Sequence, residues 1–510
     1  ISESISGLPF VVNGLVTVYD GISLTIPEGE IIKMINGQIR VNGWIYCNGT
    51  ASQPIVFTSF LDDENGGDLN GDGNLTTPSS GDWKSLAVSG NGANDGKGFI
   101  EHCRFLYGGE DDNFGNSAVY FYAVDEGYFK YCHIEYSDIH GFHISQSSGV
   151  EFSGNVIKNA SYWGIYNNGS TMDIIDCQIL NSGQSGIYLN ATSALSKVEG
   201  CFISGNGDWA LKADNAKITE FSGNSGSGNF YNAFGIYGST VESLEMSKAK
   251  CGFPYVIRGN MTISTGDTVS IPTGEIIKLS AGAIIVNGTL MADGHVKNPV
   301  VFTSFKDDEN GGDLNNDGQV NGPAPGDWQN IYVNGSGSRD GILQLDNCLV
   351  TYGGSNIGNN HFANIAMYQS HPDSYIYYST IENSLVYGIR TNDGQVKIRS
   401  SYIINNTDYG VYTQGSVFPD MGSIIDTDGG FNRIMDNNDG DYQIYHNAST
   451  SMDAYYNDWG VYSAPQIDGL LYDNEETGNT GMVSFNPWFD PDDPTFYLDV
   501  DFDADFLQIH

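Results

Sequence analysis

The chain repeats itself. Ile26-Pro27-Glu28-Gly29-Glu30-Ile31-Ile32-Lys33 returns as Ile271-Pro272-Thr273-Gly274-Glu275-Ile276-Ile277-Lys278, an offset of 245 positions. At that same offset Val41-Asn42-Gly43 becomes Val286-Asn287-Gly288, and Val56-Phe57-Thr58-Ser59-Phe60 becomes Val301-Phe302-Thr303-Ser304-Phe305. The match runs without a gap through Gly81-Asp82-Trp83 and Gly326-Asp327-Trp328, and still holds at Cys103 and Cys348. An internal duplication of this length demands two copies of one architecture. The expected division is 1–245, 246–490 and an acidic segment over 491–510.

A shorter period lies within each copy. Cys132, Asn155, Cys177 and Cys201 are spaced by 23, 22 and 24 residues, each followed two positions on by Ile134, Ile157, Ile179 and Ile203. Ser379-Thr380-Ile381 and Ser401-Tyr402-Ile403 repeat the pattern in the second copy. Short β-branched and aromatic segments stand between Asn, Gly and Ser turns, which favours strands. A repeat of 22–24 residues holding several short strands is one coil of a β-solenoid. Stacking coils ~4.8 Å apart joins neighbouring backbones and aligns equivalent side chains in ladders. The fold expected is therefore all-β: a right-handed parallel β-helix of two tandem units. Leucine-rich repeats have a similar length, but their Leu-x-x-Leu-x-Leu consensus is absent.

The ladder position of Cys132, Cys177 and Cys201 predicts buried, packed thiols, with oxidation between coils or chains as the alternative. No Cys-x-x-Cys pair occurs among the seven cysteines, which argues against zinc ribbons and thioredoxin-like chemistry.

Two segments carry recognisable ion chemistry. Asp68-Leu69-Asn70-Gly71-Asp72-Gly73-Asn74 and Asp313-Leu314-Asn315-Asn316-Asp317-Gly318-Gln319 both read D-x-N-x-D-G, the opening half of an EF-hand-type calcium loop. Alternate oxygen-bearing side chains converge on one ion, and glycine at the sixth position permits the turn. Asn74 and Gln319 would contribute backbone carbonyls. The twelfth-position Glu is replaced by Ser79 and Ala324. Asp82 and Asp327 are the expected replacements, with Asp62 and Asp63, or Asp307 and Asp308, as alternates. Calcium is the expected cofactor.

With 62 acidic against 21 basic residues, the formal net charge is −41. Such a surface repels nucleic acid and anionic membranes and attracts divalent cations. No apolar run is long enough to span a bilayer. A catalytic centre is not visible. Lys130, Lys158, Arg390, Lys397 and Arg399 show no paired constellation, and no Asp pair on adjacent coils is followed by a His and an Arg-x-Lys. His140 and His143 read as turn and ladder residues. Tyr162-Trp163, Tyr377-Tyr378 and Tyr455-Tyr456 are expected to be core ladder residues, with stacking on sugar rings as the alternative.

Val56–Trp83 and Val301–Trp328 resemble a segment of large secreted bacterial and archaeal right-handed β-helix proteins, "FTS…DD…GGD.NGDG…P..GDW". Tyr456-Asn457-Asp458-Trp459-Gly460 with Gly481-Met482-Val483-Ser484-Phe485-Asn486-Pro487-Trp488 is similar to the element that closes such solenoids. The resemblance implies a pectate-lyase-like solenoid fold and an exported, cell-surface location, and it carries no activity. The function expected is an extracellular, calcium-stabilised structural or adhesive protein, such as a subunit of a surface layer, sheath or filament. Its partners would be copies of itself, other surface proteins or polysaccharide. The alternative is a lyase or glycan-binding protein acting on acidic polysaccharides.

Overall fold

The computed structural model describes residues 9–73, 75–90, 95–110, 116–191, 196–335, 341–355, 361–425, 428–478 and 481–492. The acidic stretch beyond Asp492, including Phe496-Tyr497-Leu498, lies outside them. Two compact units are present, one of Ile1–Ile236 with Ala249–Pro254, the other of Tyr237–Lys248 with Tyr255–His510.

Each unit is a right-handed parallel β-helix whose coils expose three faces. In the first unit one face is a seven-stranded sheet that includes Trp44–Asn48, Lys97–Glu101, Gly127–Lys130 and Val150–Ser153. After a corner follows a narrow ladder of Cys103–Leu106, His133–Glu135, Val156–Lys158, Gln178–Leu180 and Phe202–Ser204. A second corner leads to a broad face: Ser117–Tyr122, His140–Ser145, Ile165–Asn168, Ile187–Asn190 and Trp209–Ile218. The second unit repeats the plan. Its broad face comprises Ile331–Asn334, Ala363–Tyr368, Tyr387–Asn392, Val411–Gly415, Ile444–Ala448 and Leu471–Tyr472.

The predicted ladder is present. Ile134, Ile157, Ile179 and Ile203 are consecutive register partners, and each is wholly buried. Burying each such side chain contributes about 1.5–3 kcal/mol, so the inward isoleucines and phenylalanines hold the coils together. Phe105, Phe129 and Phe152 extend the interior as a column of rings.

Corners explain the recurring Cys, Ser and Asn. Turning the backbone leaves an N–H facing the interior without a strand partner, and burial makes an unmet donor costly. The corner side chain of the next coil supplies the acceptor. Asn155 Oδ1 takes the Cys132 N–H at 2.9 Å, and Asn224 Oδ1 takes that of Cys201 at 3.0 Å. In the second unit the relay passes from Cys348 to Ser379, Ser401, Asn432 and Asn457. All seven cysteines are buried and outside any disulfide, and for Cys132, Cys177 and Cys201 burial is what the ladder position predicts.

Candidate metal centres and an outward aromatic face

Both D-x-N-x-D-G segments lie in insertions between the narrow ladder and the broad face. Each insertion begins over a buried lysine and ends on a buried tryptophan. Lys33 belongs to the strand Ile31–Val41, where it is flanked by buried apolar residues and is itself wholly buried. Its Nζ donates to the carbonyls of Asp62 (2.7 Å) and Gly67 (2.6 Å), tying the start of the loop to the coil. Lys278 does the same to Asp307 (2.6 Å) and Gly312 (2.5 Å). Burial pushes both amines down from the usual lysine value, while nearby aspartates, Asp62 and Asp307 foremost, push them up. At the far end Trp83 Nε1 donates to Leu106 O at 2.7 Å, and Trp328 Nε1 to Thr351 O at 2.9 Å.

Between these anchors the loop folds on its own aspartates. Asp68 accepts from the backbone N–H of Gly71, Asp72 and Gly73; Asp72 accepts from those of Leu75 and Thr76. The second loop repeats this with Asp313 accepting from Asp317 and Gly318, and Asp317 from Val320 and Asn321. Asn70 and Asn315 each donate 3.0 Å bonds to the carboxylate of Asp72 or Asp317. Gly73 and Gly318 adopt φ 65° and 69°, left-handed conformations that glycine reaches without a Cβ clash.

Folding brings three carboxylates together in each loop. Oxygens of Asp63, Asp68 and Asp72 lie within 4.8 Å of one another, as do those of Asp308, Asp313 and Asp317. Oxygens bound ~2.3–2.6 Å from one calcium ion are separated by at most about 5 Å, so each trio fits around such a cation. Both carboxylate oxygens of Asp63 are shielded from solvent with no hydrogen-bond partner among the described residues, and so is one oxygen of Asp308. Desolvation, then the charge of Asp313, raises the Asp308 carboxyl above the ordinary aspartate value, against the pull of Lys278. Asp317 sits below that value: hydrogen bonds from Asn321 and from neighbouring N–H groups outweigh desolvation.

The carboxylate that gathers with the two motif aspartates is Asp63 or Asp308, not Asp82 or Asp327. Asp82 and Asp327 close the insertions instead: Asp82 accepts from Ser59 Oγ (2.6 Å) and Ser79 N (3.0 Å). Asp327 accepts from Ser304 Oγ (2.6 Å) and Ala324 N (2.9 Å), and pairs with Lys306 at 2.7 Å. Those bonds hold them at the base of the insertion, apart from the trio. Asp62 and Asp307 are equally committed, to Asn65 and Thr58 and to Asn310 and Thr303. Asp63 and Asp308, weighed only as alternates, are the ones that join. Gln319 is exposed within its loop, and Asn74 lies outside the described residues.

A second feature occupies the broad face. Residues one step beyond each inward aliphatic point outward, because strand side chains alternate. In the first unit this gives a register column of Tyr120, His143, Tyr166, Tyr188 and Lys212. His143 lies 4.6 Å from both Tyr120 and Tyr166, and Tyr166 stacks on Tyr188 at 5.4 Å. The second unit has Tyr332, Ala366, Arg390, Tyr412, Tyr445 and Tyr472 at the corresponding coils. Tyr412, Tyr445 and Tyr472 stack at 5.5 and 4.0 Å. Trp163, Tyr387 and Tyr409 widen these platforms. Beside each aromatic column runs a column of amides and other polar groups: Asn168, Asn190 and Asp214 in one unit, Asn392, Gln414 and Asn447 in the other. Asn190 Nδ2 reaches Tyr166 Oη at 3.4 Å, and Asn447 Nδ2 reaches Tyr412 Oη at 3.3 Å.

The aromatic pairs expected in the core thus lie outside it. Tyr162 and Tyr378 are exposed, and Trp163, Tyr377, Tyr455 and Tyr456 are half-buried. Phenylalanines, which have no hydroxyl to satisfy, fill the interior instead. His140 stacks on Trp163 at 4.7 Å. Burial pushes His140 down to about 3, with a further push from His143, and pushes His143 down to about 4, so both are neutral members of the face near neutral pH.

Comparison with known proteins bears on the fold. The family model for the right handed beta helix region matches residues 84–195 and 117–252. No curated protein matches the chain. Among solved structures, tailspike protein 3 of bacteriophage CBA120 is similar at 10% identity and a TM-score of 0.23, over 88% of this chain and 56% of that one. The catalytic unit of an α-1,3-glucanase from Streptomyces thermodiastaticus shows 11% identity and a TM-score of 0.20, over 79% of this chain and 63% of that one. An alginate lyase from Paenibacillus shows 11% and 0.18, over 80% of this chain and 98% of that one. The chain spans less than two thirds of the tailspike and of the glucanase unit. Similarity this low says nothing of what this chain binds or does.

Proposed function

We propose that this chain is an exported, calcium-stiffened β-helix that binds sugar polymers along its broad faces and serves as a structural, adhesive component of a cell surface. The observation that carries the reading is an aromatic column flanked by amides on both broad faces, with Tyr166 and Tyr188 at the coil positions of Tyr412 and Tyr445. Flat ring faces stack on the apolar faces of pyranose rings, and neighbouring amides satisfy hydroxyls. Columns running from coil to coil suit an extended polymer better than a small ligand.

One consideration favours binding over hydrolysis. Glycoside cleavage uses a pair of carboxylates astride the scissile bond. The broad-face columns described here offer rings, amides and the single carboxylate of Asp214, which Tyr188 Oη approaches at 3.2 Å. The acidic loops stand outside those columns and act on stability: a calcium ion in each would neutralise the trio and fix an insertion that makes its coil twice the ordinary length.

The test is retention of the full chain on a panel of neutral and acidic polysaccharides by affinity electrophoresis, with product formation followed in parallel. Tyr166→Ala and Tyr412→Ala should each weaken retention about three- to tenfold on the polymer their unit holds, with no product released. Equal retention of both variants and the parent protein, or no retention on any polymer, would overturn the sugar-binding reading.

A further inference from the structure

We infer that the broad face of the second unit selects sugars carrying an anionic group, a carboxylate or a sulfate, and that Arg390 is the residue that reads it. This rests on the sugar-binding reading and adds a ligand class to one of the two faces.

Arg390 has no carboxylate partner among the described residues. In a chain with 62 acidic residues and 21 basic ones, carboxylate partners are plentiful. Lys97 pairs with Glu126, Lys250 with Glu220, Arg399 with Asp420 and Asp428, and Arg433 with Asp458. Arg390 pairs with none of the described residues, and its Nε is shielded from solvent with no acceptor. Its guanidinium lies over the Tyr412 ring, 5.4 Å from the centroid, a cation–π contact that holds the group against the platform. An unpaired guanidinium held there offers a planar fork of donors, the geometry that binds carboxylates and sulfate-like anions with two hydrogen bonds.

The neighbours fit that role. Toward one end of the column Tyr332 stacks on His361 at 4.4 Å, and toward the other Tyr412 and Tyr445 continue the ring platform. His361 is pushed below the ordinary imidazole value by burial and then by Arg390, so near neutral pH it adds no charge. Asp408, whose charge acts on Tyr387, is itself raised above the ordinary aspartate value by desolvation. Asn392, the outward neighbour two residues along the strand, provides an amide for an adjacent hydroxyl.

The first unit supplies an internal contrast. The segment His140-Gly141-Phe142-His143 corresponds to Tyr387-Gly388-Ile389-Arg390, so a neutral imidazole stands where the second unit has the guanidinium. At this coil the two faces differ in charge; the first unit's own cation, Lys212, lies further along its column and pairs with Asp214 at 3.7 Å.

Affinity electrophoresis with polygalacturonate, dextran sulfate and neutral dextran, at fixed calcium and several salt concentrations, tests this. Arg390→Gln should lose at least tenfold in retention on an acidic polymer and flatten the salt dependence, leaving retention on the neutral polymer unchanged. Arg390→Lys should fall between, and the arms separate carboxylate from sulfate recognition. Arg433→Gln removes a paired charge and serves as the control. If acidic polymers are retained but Arg390→Gln does not weaken them, or if Arg433→Gln weakens them equally, the inference fails while the sugar-binding reading stands. Retention of neutral polymers alone has the same meaning. If nothing is retained, both fall.

Discussion

Asp63→Asn should move stability in opposite directions with and without calcium. Three carboxylates within 4.8 Å repel one another when no cation lies between them. At a water-like dielectric, a pair 4.8 Å apart costs about 0.9 kcal/mol, so neutralising Asp63 relieves two contacts and about 2 kcal/mol. Shielding of its oxygens from water makes the relief larger, and added salt makes it smaller. In chelator the variant should therefore melt a few degrees above the parent protein. In calcium it loses a ligand: affinity at the first loop should fall at least tenfold, about 1.4 kcal/mol, and the thermal advantage should vanish or reverse. The intact second loop is the reference within the same molecule, so calorimetry should change from two similar sites to one. Asp82→Asn makes the contrast. It removes the charged acceptor of Ser59 and Ser79, worth ~1.5–3 kcal/mol per bond, and should destabilise the protein equally in both conditions. If instead Asp82→Asn abolishes one calcium site and Asp63→Asn leaves two, the arrangement of ligands drawn from the folded loop is wrong.

Lys278→Met should destabilise the second unit by about 2–4 kcal/mol and weaken calcium at its loop, because the carbonyls of Asp307 and Gly312 lose a buried charged donor; unchanged thermal unfolding would refute the brace. Acid should destabilise the first unit through His140 and His143. Their folded values, about 3 and about 4, lie below the ordinary imidazole value near 6.5, so the unfolded chain binds protons that the folded chain does not. Stability is full above pH ~6.5 and falls as pH drops toward 4, by about 2 kcal/mol per imidazole at pH 5; thermal unfolding against pH should flatten in a His140→Phe/His143→Phe variant. Asn432→Ala should cost roughly 2–4 kcal/mol by denaturant unfolding, since Ser401 N and Ile398 O lose their partner inside the second unit.

How far the sequence reached depended on whether a feature repeats along the chain or is assembled across it. The coil is periodic, and the interval from Cys132 to Asn155 to Cys177 is the interval of the ladder itself. The loops were legible for a related reason: D-x-N-x-D-G is a local geometry, in which Asp68 and Asp72 fold their own backbone. Asp63 was harder to place. It enters the trio from outside the motif, through a turn held by Lys33 from another strand. Nothing in Asp62-Asp63 says which of the two joins Asp68 and Asp72, and the answer comes from Thr58 and Asn65 claiming Asp62. Lys33 was overlooked because Ile31-Ile32-Lys33-Met34 reads as an apolar strand with one polar interruption. Its recurrence as Lys278 within an otherwise buried strand was the available signal.

The aromatic columns show where composition misleads and parity does not. Tyr162-Trp163, Tyr377-Tyr378 and Tyr455-Tyr456 read as core ladder residues, yet Gly164-Ile165-Tyr166 and Gly186-Ile187-Tyr188 already contain the decision. Ile165 and Ile187 must face inward to continue the ladder, so the next residue must face outward. A protein needing only a stable coil could place any polar side chain there. Rings held half-buried in a stack, coil after coil, leave apolar faces toward solvent that contribute less to stability than interior phenylalanines do. Both units retain the stack while differing at His143 and Arg390 within it. The coil is thus common to the two units, and what each broad face can bind is decided by outward residues on which the coil places almost no demand.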